Sequence, residues 1–415
     1  MTLVNGDRLW ARLMRMAEIG GFDGGGVNRQ ALSDEDHAAW AQMLDWAEAL
    51  GLEPSTDAAA NLFLTLPGRD RDLPPLLAGS HLDSQPTGGR FDGVFGVLAA
   101  LEAVAAMVEA GIHPDRDVTV VAWMNEEGSR FAPGMAGSEH FAGVRSDTDL
   151  RAARDANGVT CGAEIDRIHA AFAQVPVRPA FRPEAYIEPH IEQATMLEAA
   201  GVPIGVVTGI QGKITAEGKV TGSAGHAGTE PMDRRRDAVM AFARIATALQ
   251  REIGESDPDI RFTIGRVEVR PNAPSVIASE VVFRVDLRHP SNDVLEAAGQ
   301  RMHAVTSALA MPCTATLREL VHAPSNVFAP VLQDRIRAAA RRHGVASMDL
   351  ASAAGHDARH LAGICPSAMI FIPCKGGISH DPSESAEQSD VTAGAQVLLD
   401  VLLASLGGAS GGAGA

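Results

Sequence analysis

The sequence predicts an α/β protein with a central, mostly parallel sheet flanked by helices, and a smaller α+β domain inserted into it. Three observations predict this fold. Strand-like and helix-like patterns alternate over roughly the first 200 residues, as in parallel sheets covered by helices on both faces. From about residue 210 the pattern changes to strands separated by turns. After residue 322 the patterns of the first part return.

The first part opens with an amphipathic helix, and a second helix near 34–51 ends at Gly51. NLFLTLPG alternates like a half-buried strand, LPPLLAGSHLD is a buried strand, residues 94–110 form a helix, and DVTVVAWMNEEG is another strand. Parallel strands end at one edge of a sheet, where the sites of such folds lie. We therefore expect His81 and the pair Glu126 and Glu127, which follow two of these strands, at the same edge.

The middle of the chain predicts an inserted β-α-β-β-α-β domain. GKITAEGKVTGSAGHAG is strand-like, DRRRDAVMAFARIATALQREIG is a helix, and RFTIGRVEVRPNAPSVIASEVVFRVDLRHP gives two or three strands. A helix around 293–310 and the strand CTATLREL complete it, and a helix at 328–343, the strand PSAMIFIP and a helix at 390–406 then return to the first domain. We expect a first domain of residues 1–209 and 323–408, an inserted domain of residues 210–322, and a flexible low-complexity tail, 409–415.

Length and composition exclude several classes of protein. A chain of 415 residues is too long for one ordinary core, and a net charge of −17 without a basic block argues against nucleic-acid binding. The N-terminal helix lacks the apolar core of a signal peptide, and Glu102 and Glu109 interrupt the most apolar stretch, so no membrane partner is expected. Four cysteines without a C-x-x-C pair favour a reduced compartment, so we expect a cytoplasmic protein.

Five residues with metal-binding side chains stand at predicted loops or strand ends. Three imidazoles and two carboxylates suit a borderline cation such as Zn, Mn, Co or Ni. One catalytic ion needs fewer than five protein ligands, so the set predicts two ions that share one carboxylate. Each residue alone has a simpler interpretation, since a histidine at a strand end is more often structural and Asp92 could cap the following helix. The five are His81, Asp92, Glu127, His190 and His380.

Seven segments, in order between about residues 10 and 405, carry more specific patterns: GSHLDSQPTGGRFDGVFGVLAALE, WMNEEGSRFAPGMAGSEHFAG, YIEPHIEQ, SAGHAGTEPMDRRRDAV, RPNAPSVIASEVVFRVDLRHP, SAAGHDARHLA and GGISHDPSE. Together they resemble the dinuclear-zinc amidohydrolases of the hydantoinase/carbamoylase type. That group includes N-carbamoyl-L-amino-acid amidohydrolases, β-ureidopropionases and allantoate amidohydrolases, within a larger set of di-zinc exopeptidases and aminoacylases.

The resemblance implies two metal ions held by overlapping sets of ligands, with Asp92 as the bridging residue: His81, Asp92 and His190 for one ion, and Asp92, Glu127 and His380 for the other. It implies that Glu126 is the general base. Exopeptidase relatives usually place an acidic ligand at His190, so EPHIEQ favours the carbamoylase branch. Asp83, two residues after His81, is expected to accept a hydrogen bond from the other ring nitrogen of that ligand, or to be a turn residue.

The resemblance also assigns residues to substrate binding: Gln193, His226, Asn272, Arg288 and His356. It implies that His226 acts in catalysis by stabilising the developing oxyanion, and that Arg288 and Asn272 hold the substrate carboxylate. From the residues alone, His226 could be a turn histidine and Arg288 could form a surface ion pair. A homodimer is implied through the inserted domain, which would act as a lid and lend His226 and Asn272 across the interface.

The function implied by these segments is metal-dependent cleavage of the carbamoyl group of an N-carbamoyl-L-amino acid, giving the amino acid, ammonia and carbon dioxide. Allantoate and N-carbamoyl-β-alanine are alternative substrates with the same mechanism, and an N-acyl-amino-acid or dipeptide hydrolase is less favoured because of His190. A binding protein that has lost catalysis is not indicated, since Glu126 and the five candidate ligands are present. A nucleotide-binding protein is not indicated either, because no G-x-G-x-x-G follows a strand.

Overall fold

A computed structural model describes residues 2–406 of the chain, so the tail predicted to be flexible, 409–415, lies outside the described residues. The chain forms two compact units. One comprises the residues up to Thr208 and those from Val327 onward, and the other comprises Gly209–Asn326. The insertion was expected at 210–322, whereas the second unit ends at Asn326.

The first unit is built on a nine-stranded sheet. Numbered in chain order, its strands are β1 (Glu53–Thr56), β2 (Leu62–Leu66), β3 (Leu76–His81), β4 (Val118–Trp123), β5 (Ala185–Ile191), β6 (Ile204–Ile210), β13 (Asn326–Val327), β14 (Ser347–Ser352) and β15 (Ser367–Ile372). Their order is β1-β2-β4-β3-β5-β15-β6-β13, with β14 pairing with β6. The central strands β4, β3, β5 and β15 are parallel. This confirms the predicted fold class, although the β1–β2, β2–β4 and β15–β6 pairs at the flanks are antiparallel.

The first unit has ten helices among the described residues: α1 (Gly6–Glu18), α2 (Asp34–Leu50), α3 (Val94–Glu109), α4 (Ala136–Phe141), α5 (Asp147–Ala152), α6 (Cys161–Ala171), α7 (Met196–Ala200), α10 (Pro330–Arg342), α11 (Ala358–Leu361) and α12 (Gln388–Leu406). Of these, α2, α3, α4, α10, α11 and α12 contact strands of the sheet. The apolar helix α3 contacts β3, α1 and α12 and is buried along most of its length. Its fully buried Glu102 accepts hydrogen bonds from Arg8 at 2.8 Å and Arg12 at 3.2 Å, both on α1. Pairing of this kind is what allows a carboxylate inside an apolar helix.

Within residues 2–406, α12 is the one helix whose length and mean hydropathy, 1.3, would suit a membrane span. Of the 18-residue apolar window in α12, 61% is buried inside the protein. Core helices of globular proteins meet the same criteria, so α12 is weak evidence for a span.

The second unit contains a four-stranded antiparallel sheet in the order β12-β7-β11-β9, with strands β7 (Gly212–Thr221), β9 (Arg261–Arg270), β11 (Glu280–His289) and β12 (Thr314–Ala323). Two helices, α8 (Ala238–Leu249) and α9 (Asn292–Ala308), contact this sheet. Two short strands, β8 (Gly225–His226) and β10 (Val276–Ile277), pair with each other in a separate antiparallel ladder. In sequence, β8 follows β7 and β10 precedes β11. Apolar side chains that alternate along β7 and β11, such as Ile214, Ala216 and Phe283, form its core.

Candidate metal centre

The carboxyl ends of the parallel strands bring the candidate site residues to one edge of the first unit's sheet. β3 ends at His81, which pairs in register with Trp123 at the end of β4, three residues before Glu126. His190 lies near the end of β5 and pairs with Phe371 near the end of β15. Because these strands are parallel, the loops that leave them start from the same edge.

Asp92 is shared by two groups of side chains that have the composition of metal sites: His81, Asp92 and His190 in one, and Asp92, Glu127 and His380 in the other. Within each group the candidate ligand atoms all lie within 4.8 Å of one another. Asp92 Oδ1 lies 3.2 Å from His190 Nε2, and its Oδ2 lies 3.1 Å from His380 Nε2. His380 Nε2 is also 3.4 Å from Glu127 Oε2. A carboxylate with one oxygen in each of two such groups is placed to bridge two ions.

Gly93 lies between Asp92 and the first residue of α3 and is close to the His81 ring. Its φ is +65°, and a Cβ there would lie 2.3 Å from both Cε1 and Nε2 of His81. The helix has Gly93 as its N-cap and no side-chain cap. The Asp92 carboxylate is therefore directed to the histidines rather than to the helix end, and only glycine lets the loop pass this close to His81.

Gly93→Ala is expected to lower kcat/KM by about tenfold or more, because the added methyl group displaces a candidate metal ligand. Alanine at a φ of +65° and a ψ of −48° also strains the backbone. Gly111→Ala is the matched control, since its φ is also +65° but a Cβ there meets no atom within 4 Å. Steady-state kinetics on both variants separate the two effects, and equal losses would show that backbone strain alone is responsible.

The two histidines of the first group are oriented through their other ring nitrogen. His81 Nδ1 lies 2.9 Å from the backbone carbonyl oxygen of Asp83, and His190 Nδ1 lies 2.8 Å from that of the next residue. A carbonyl acceptor fixes the proton on Nδ1, so Nε2 is the nitrogen that would bind a metal, and in His190 this Nε2 accepts the backbone N–H of Gly93 at 3.2 Å. Of the two alternatives for Asp83, the one in which its carboxylate accepts a hydrogen bond from His81 was wrong. It lies 3.6 Å from His81 Nδ1 and accepts the backbone N–H groups of the two glutamates after β4, each at 3.2 Å.

The centre holds several carboxylates away from water. Burial raises the pKa of Glu126 well above its usual value, and nearby Asp357 and Glu127 raise it further. Burial and the Asp92 charge raise the pKa of Glu127 to about 7. Burial also acts on Asp92, but its close contacts with the two histidines beside it hold its pKa well below the usual range. A divalent cation would offset this negative charge, and imidazole and carboxylate donors fit a borderline metal. The residues present therefore fit a metal site.

Glu126 lies beside the first group without belonging to either group. Its side chain is 10% exposed, and its Oε2 lies 3.6 Å from His81 Nε2. A carboxylate so close to a candidate ligand can reach a water molecule in that group. Its role as general base stays a prediction.

Gln193 and His356 also lie at this centre. Gln193 Nε2 donates to Asp92 Oδ2 at 3.0 Å, and its Oε1 is buried without a hydrogen-bond partner. His356 is buried, its ring centroid lies 4.5 Å from that of His190, and its Nε2 lies 3.1 Å from Ser352 Oγ. Gln193 thus contacts a candidate ligand and His356 packs against one, whereas a contact of either with substrate stays a prediction.

The other three predicted site residues lie in the second unit. His226 is exposed in β8, and its Nδ1 accepts the backbone N–H of Gly228 at 3.0 Å. Asn272 follows β9 with a φ of +58° and lines a groove of about 410 Å³. Arg288 Nε donates to Asp286 Oδ1 at 2.7 Å. An ion pair was the simpler interpretation of Arg288 from the sequence. Their roles toward substrate stay predictions.

Sequence reasoning missed three polar residues that hold the candidate ligands. Gln85 Nε2 donates to Glu127 Oε2 at 2.7 Å, and Ser379 Oγ donates to Asp92 Oδ2 at 2.9 Å. Glu384 accepts the backbone N–H of Asp92 at 3.1 Å. The available signal was their position, because all three lie within the ligand-bearing segments GSHLDSQPTGG and GGISHDPSE.

A largely parallel α/β sheet with imidazole and carboxylate groups clustered at its carboxyl edge is an arrangement typical of metal-dependent hydrolases. The sequence model of peptidase family M20/M25/M40 matches residues 77–404. The chain belongs to this family.

Relatives that align over nearly the whole chain are amidohydrolases. An N-carbamoyl-L-amino-acid amidohydrolase of Rhizobium meliloti is 41% identical over 405 residues, covering 96% of this chain and 96% of the relative. An allantoate amidohydrolase of Escherichia coli (strain K12) is 33% identical over 394 residues, covering 93% of this chain and 95% of the relative. The crystal structure of a hydantoinase/carbamoylase family amidase from Burkholderia multivorans is 40% identical with a TM-score of 0.90, covering 97% of this chain and 98% of the other. The predicted family resemblance and the enzyme class, a hydrolase of non-peptide C–N bonds, are confirmed.

Proposed function

We propose that the protein hydrolyses the carbamoyl C–N bond of N-carbamoyl-L-amino acids and releases the amino acid, ammonia and carbon dioxide. The observation that carries the proposal is the Asp92 carboxylate, which has one oxygen in each of two imidazole–carboxylate groups, with Glu126 beside the first. The activity named for the Rhizobium meliloti relative, at 41% identity, supports the substrate class.

We assign two divalent ions to the centre, with zinc as the expected metal and manganese, cobalt or nickel as alternatives. His81, Asp92 and His190 would hold one ion, and Asp92, Glu127 and His380 the other. Bound there, the ions would acidify water and polarise the ureido carbonyl. The His81 side chain is 1% exposed whereas that of His380 is 48% exposed, so we infer that substrate approaches from the His380 side.

Glu126 would take the proton of the attacking water on its carboxylate and deliver it to the leaving nitrogen. Its position 3.6 Å from His81 Nε2 supports this role. Gln193, whose buried Oε1 lacks a partner, would accept a hydrogen bond from a substrate N–H group. His356 packs against His190 and would line the pocket behind it.

We assign the substrate carboxylate to Arg288 and Asn272, and the developing oxyanion to His226, all in the second unit. A guanidinium suits the two-point recognition of a carboxylate. These roles, and a homodimer formed through the second unit acting as a lid, are supported by the family resemblance. A cytoplasmic location is supported by four cysteines that are all free and buried.

Removing metal is expected to abolish turnover. Dialysis against a strong chelator should leave a folded, inactive protein, because the candidate ligands would remain without the ions that activate water. Adding Zn²⁺, Mn²⁺, Co²⁺ or Ni²⁺ should restore activity, measured as ammonia release. Full activity in a preparation whose metal content has been measured as nil would contradict the metal-dependent mechanism.

The substrate assignment is tested by ammonia release from a panel offered to metal-loaded protein: N-carbamoyl-L-amino acids, N-carbamoyl-β-alanine and allantoate. We expect the highest kcat/KM for N-carbamoyl-L-amino acids. A preference for allantoate, the substrate named for the relative that is 33% identical, or for the β-alanine derivative would overturn the substrate and keep the mechanism. Turnover of acyl-amino acids or dipeptides alone would overturn both the substrate and its ureido class.

A further inference from the structure

Glu384, a buried carboxylate outside the two candidate ligand groups, connects the segments that carry Asp92 and His380. It is 2% exposed. Its Oε1 accepts the backbone N–H groups of Phe91 at 2.8 Å and Asp92 at 3.1 Å, although 293 and 292 positions separate these residues in sequence. Because Glu384 follows His380 by four residues, these bonds tie the loop before α3 to the loop after β15.

Ser379 extends this connection to the Asp92 side chain. Its Oγ lies 3.0 Å from Glu384 Oε2 and 2.9 Å from Asp92 Oδ2. A hydroxyl carries one hydrogen, so Ser379 donates to one carboxylate at a time and stands between the two. Gln193 Nε2 donates to the same Ser379 oxygen at 3.1 Å and to Asp92 Oδ2 at 3.0 Å. Side chains that are not candidate ligands therefore fix the Asp92 oxygen that faces His380.

The absence of a side chain at Gly89 leaves the space that the Glu384 carboxylate occupies. A Cβ at Gly89 would lie 2.2 Å from Glu384 Cδ and Oε1, so any larger residue would displace the carboxylate. Burying an acid is costly unless donors satisfy its oxygens, and here two backbone N–H groups donate to Oε1 while Oε2 shares the Ser379 hydroxyl with Asp92. This close fit points to a role in holding neighbouring groups in place.

We propose that Glu384 is a positioning residue that holds Asp92 and His380 in the geometry needed by the second metal ion, and so sets the affinity for that ion. This inference rests on the two-ion centre of the proposed function. Without Glu384, the Asp92 backbone and Ser379 lose their common acceptor. The loop that carries Asp92 is then no longer tied to the segment that carries His380, so the 3.1 Å contact between Asp92 Oδ2 and His380 Nε2 is weakened, whereas Oδ1 keeps its contact with His190.

The test is a titration of the metal-free full chain with Zn²⁺ against a chromophoric chelator, together with the thermal midpoint of each metal-free protein. Glu384→Ala is expected to weaken binding of the second ion about 10- to 100-fold and to leave the first nearly unchanged. Glu384→Gln should recover most of the affinity, because its amide oxygen can still accept the N–H groups of Phe91 and Asp92. Glu387→Ala, which removes an exposed carboxylate three residues further on, should bind zinc like the wild type.

A Glu384→Ala protein that binds both ions as tightly as the wild type, even with a lower thermal midpoint, would overturn the inference and reduce Glu384 to a structural role. If that variant does not fold, Gly89→Ala, whose added Cβ displaces the Glu384 carboxylate, decides in its place. Weaker binding of the second zinc ion by this variant would support the inference, and an unchanged affinity for that ion would overturn it. A wild-type chain that binds fewer than two ions would overturn the two-ion centre itself, so the two failures are distinguishable.

Discussion

Glu126→Gln is expected to lower kcat about 10²- to 10⁴-fold while both metal ions stay bound. The amide has nearly the shape of the carboxylate but cannot take a proton from water. Glu126 lies 3.6 Å from His81 Nε2 and belongs to neither candidate ligand group, so its charge acts beside the ions rather than as a ligand. The measurement is kcat on an N-carbamoyl-L-amino acid, with metal content determined on the same preparation.

Glu48→Gln is the control, since it makes the same chemical change at an exposed position on α2 and should leave kcat unchanged. Near-normal turnover by Glu126→Gln would contradict the assignment of the base. A loss of metal from that variant would instead place Glu126 among the ligands.

Asp92→Ala is expected to lose both metal ions and to reduce turnover to the level of the chelated protein. Asp92 Oδ1 belongs to one candidate group and Oδ2 to the other, so the substitution removes a ligand from each ion. His81→Ala and His380→Ala should each weaken the binding of one ion only, because each histidine belongs to a single group. The measurement is the number of zinc ions retained after gel filtration, with activity on the same samples.

Asp45→Ala, at an exposed position on α2, is the control for loss of an aspartate and should retain metal and activity. One ion held by Asp92→Ala as tightly as in the wild type would show that Asp92 does not bridge. Loss of both ions from His81→Ala would show instead that the two groups bind cooperatively.

The edge that carries the centre could be predicted from sequence because it depends on local patterns. The apolar strands before His81 and Glu126 indicated a parallel sheet, and the pairing of His81 with Trp123 places those strand ends side by side. The antiparallel flanks could not be predicted in this way, because an apolar pattern does not encode strand direction. Strand β14 was not predicted from the sequence. Its six residues do not alternate regularly between buried and exposed positions, so they lack the pattern that identifies a half-buried strand.

The contacts around the candidate ligands could not be predicted from the sequence for a different reason. Whether Asp83 offers His81 its carboxylate or its backbone carbonyl depends on how the loop turns, and the structure uses the carbonyl at 2.9 Å. Glu384 meets the Asp92 backbone across 292 positions, a distance over which periodicity carries no information. Residue types and spacing therefore suggested candidate ligands, but not the side chains that hold them.

Whether Asp92 bridges two ions is tested most directly by anomalous diffraction from crystals of the zinc-loaded protein. Two zinc peaks about 3.5–4 Å apart are expected. One should contact His81, His190 and Asp92, and the other Glu127, His380 and Asp92. A single peak, or two peaks that do not both contact Asp92, would contradict it.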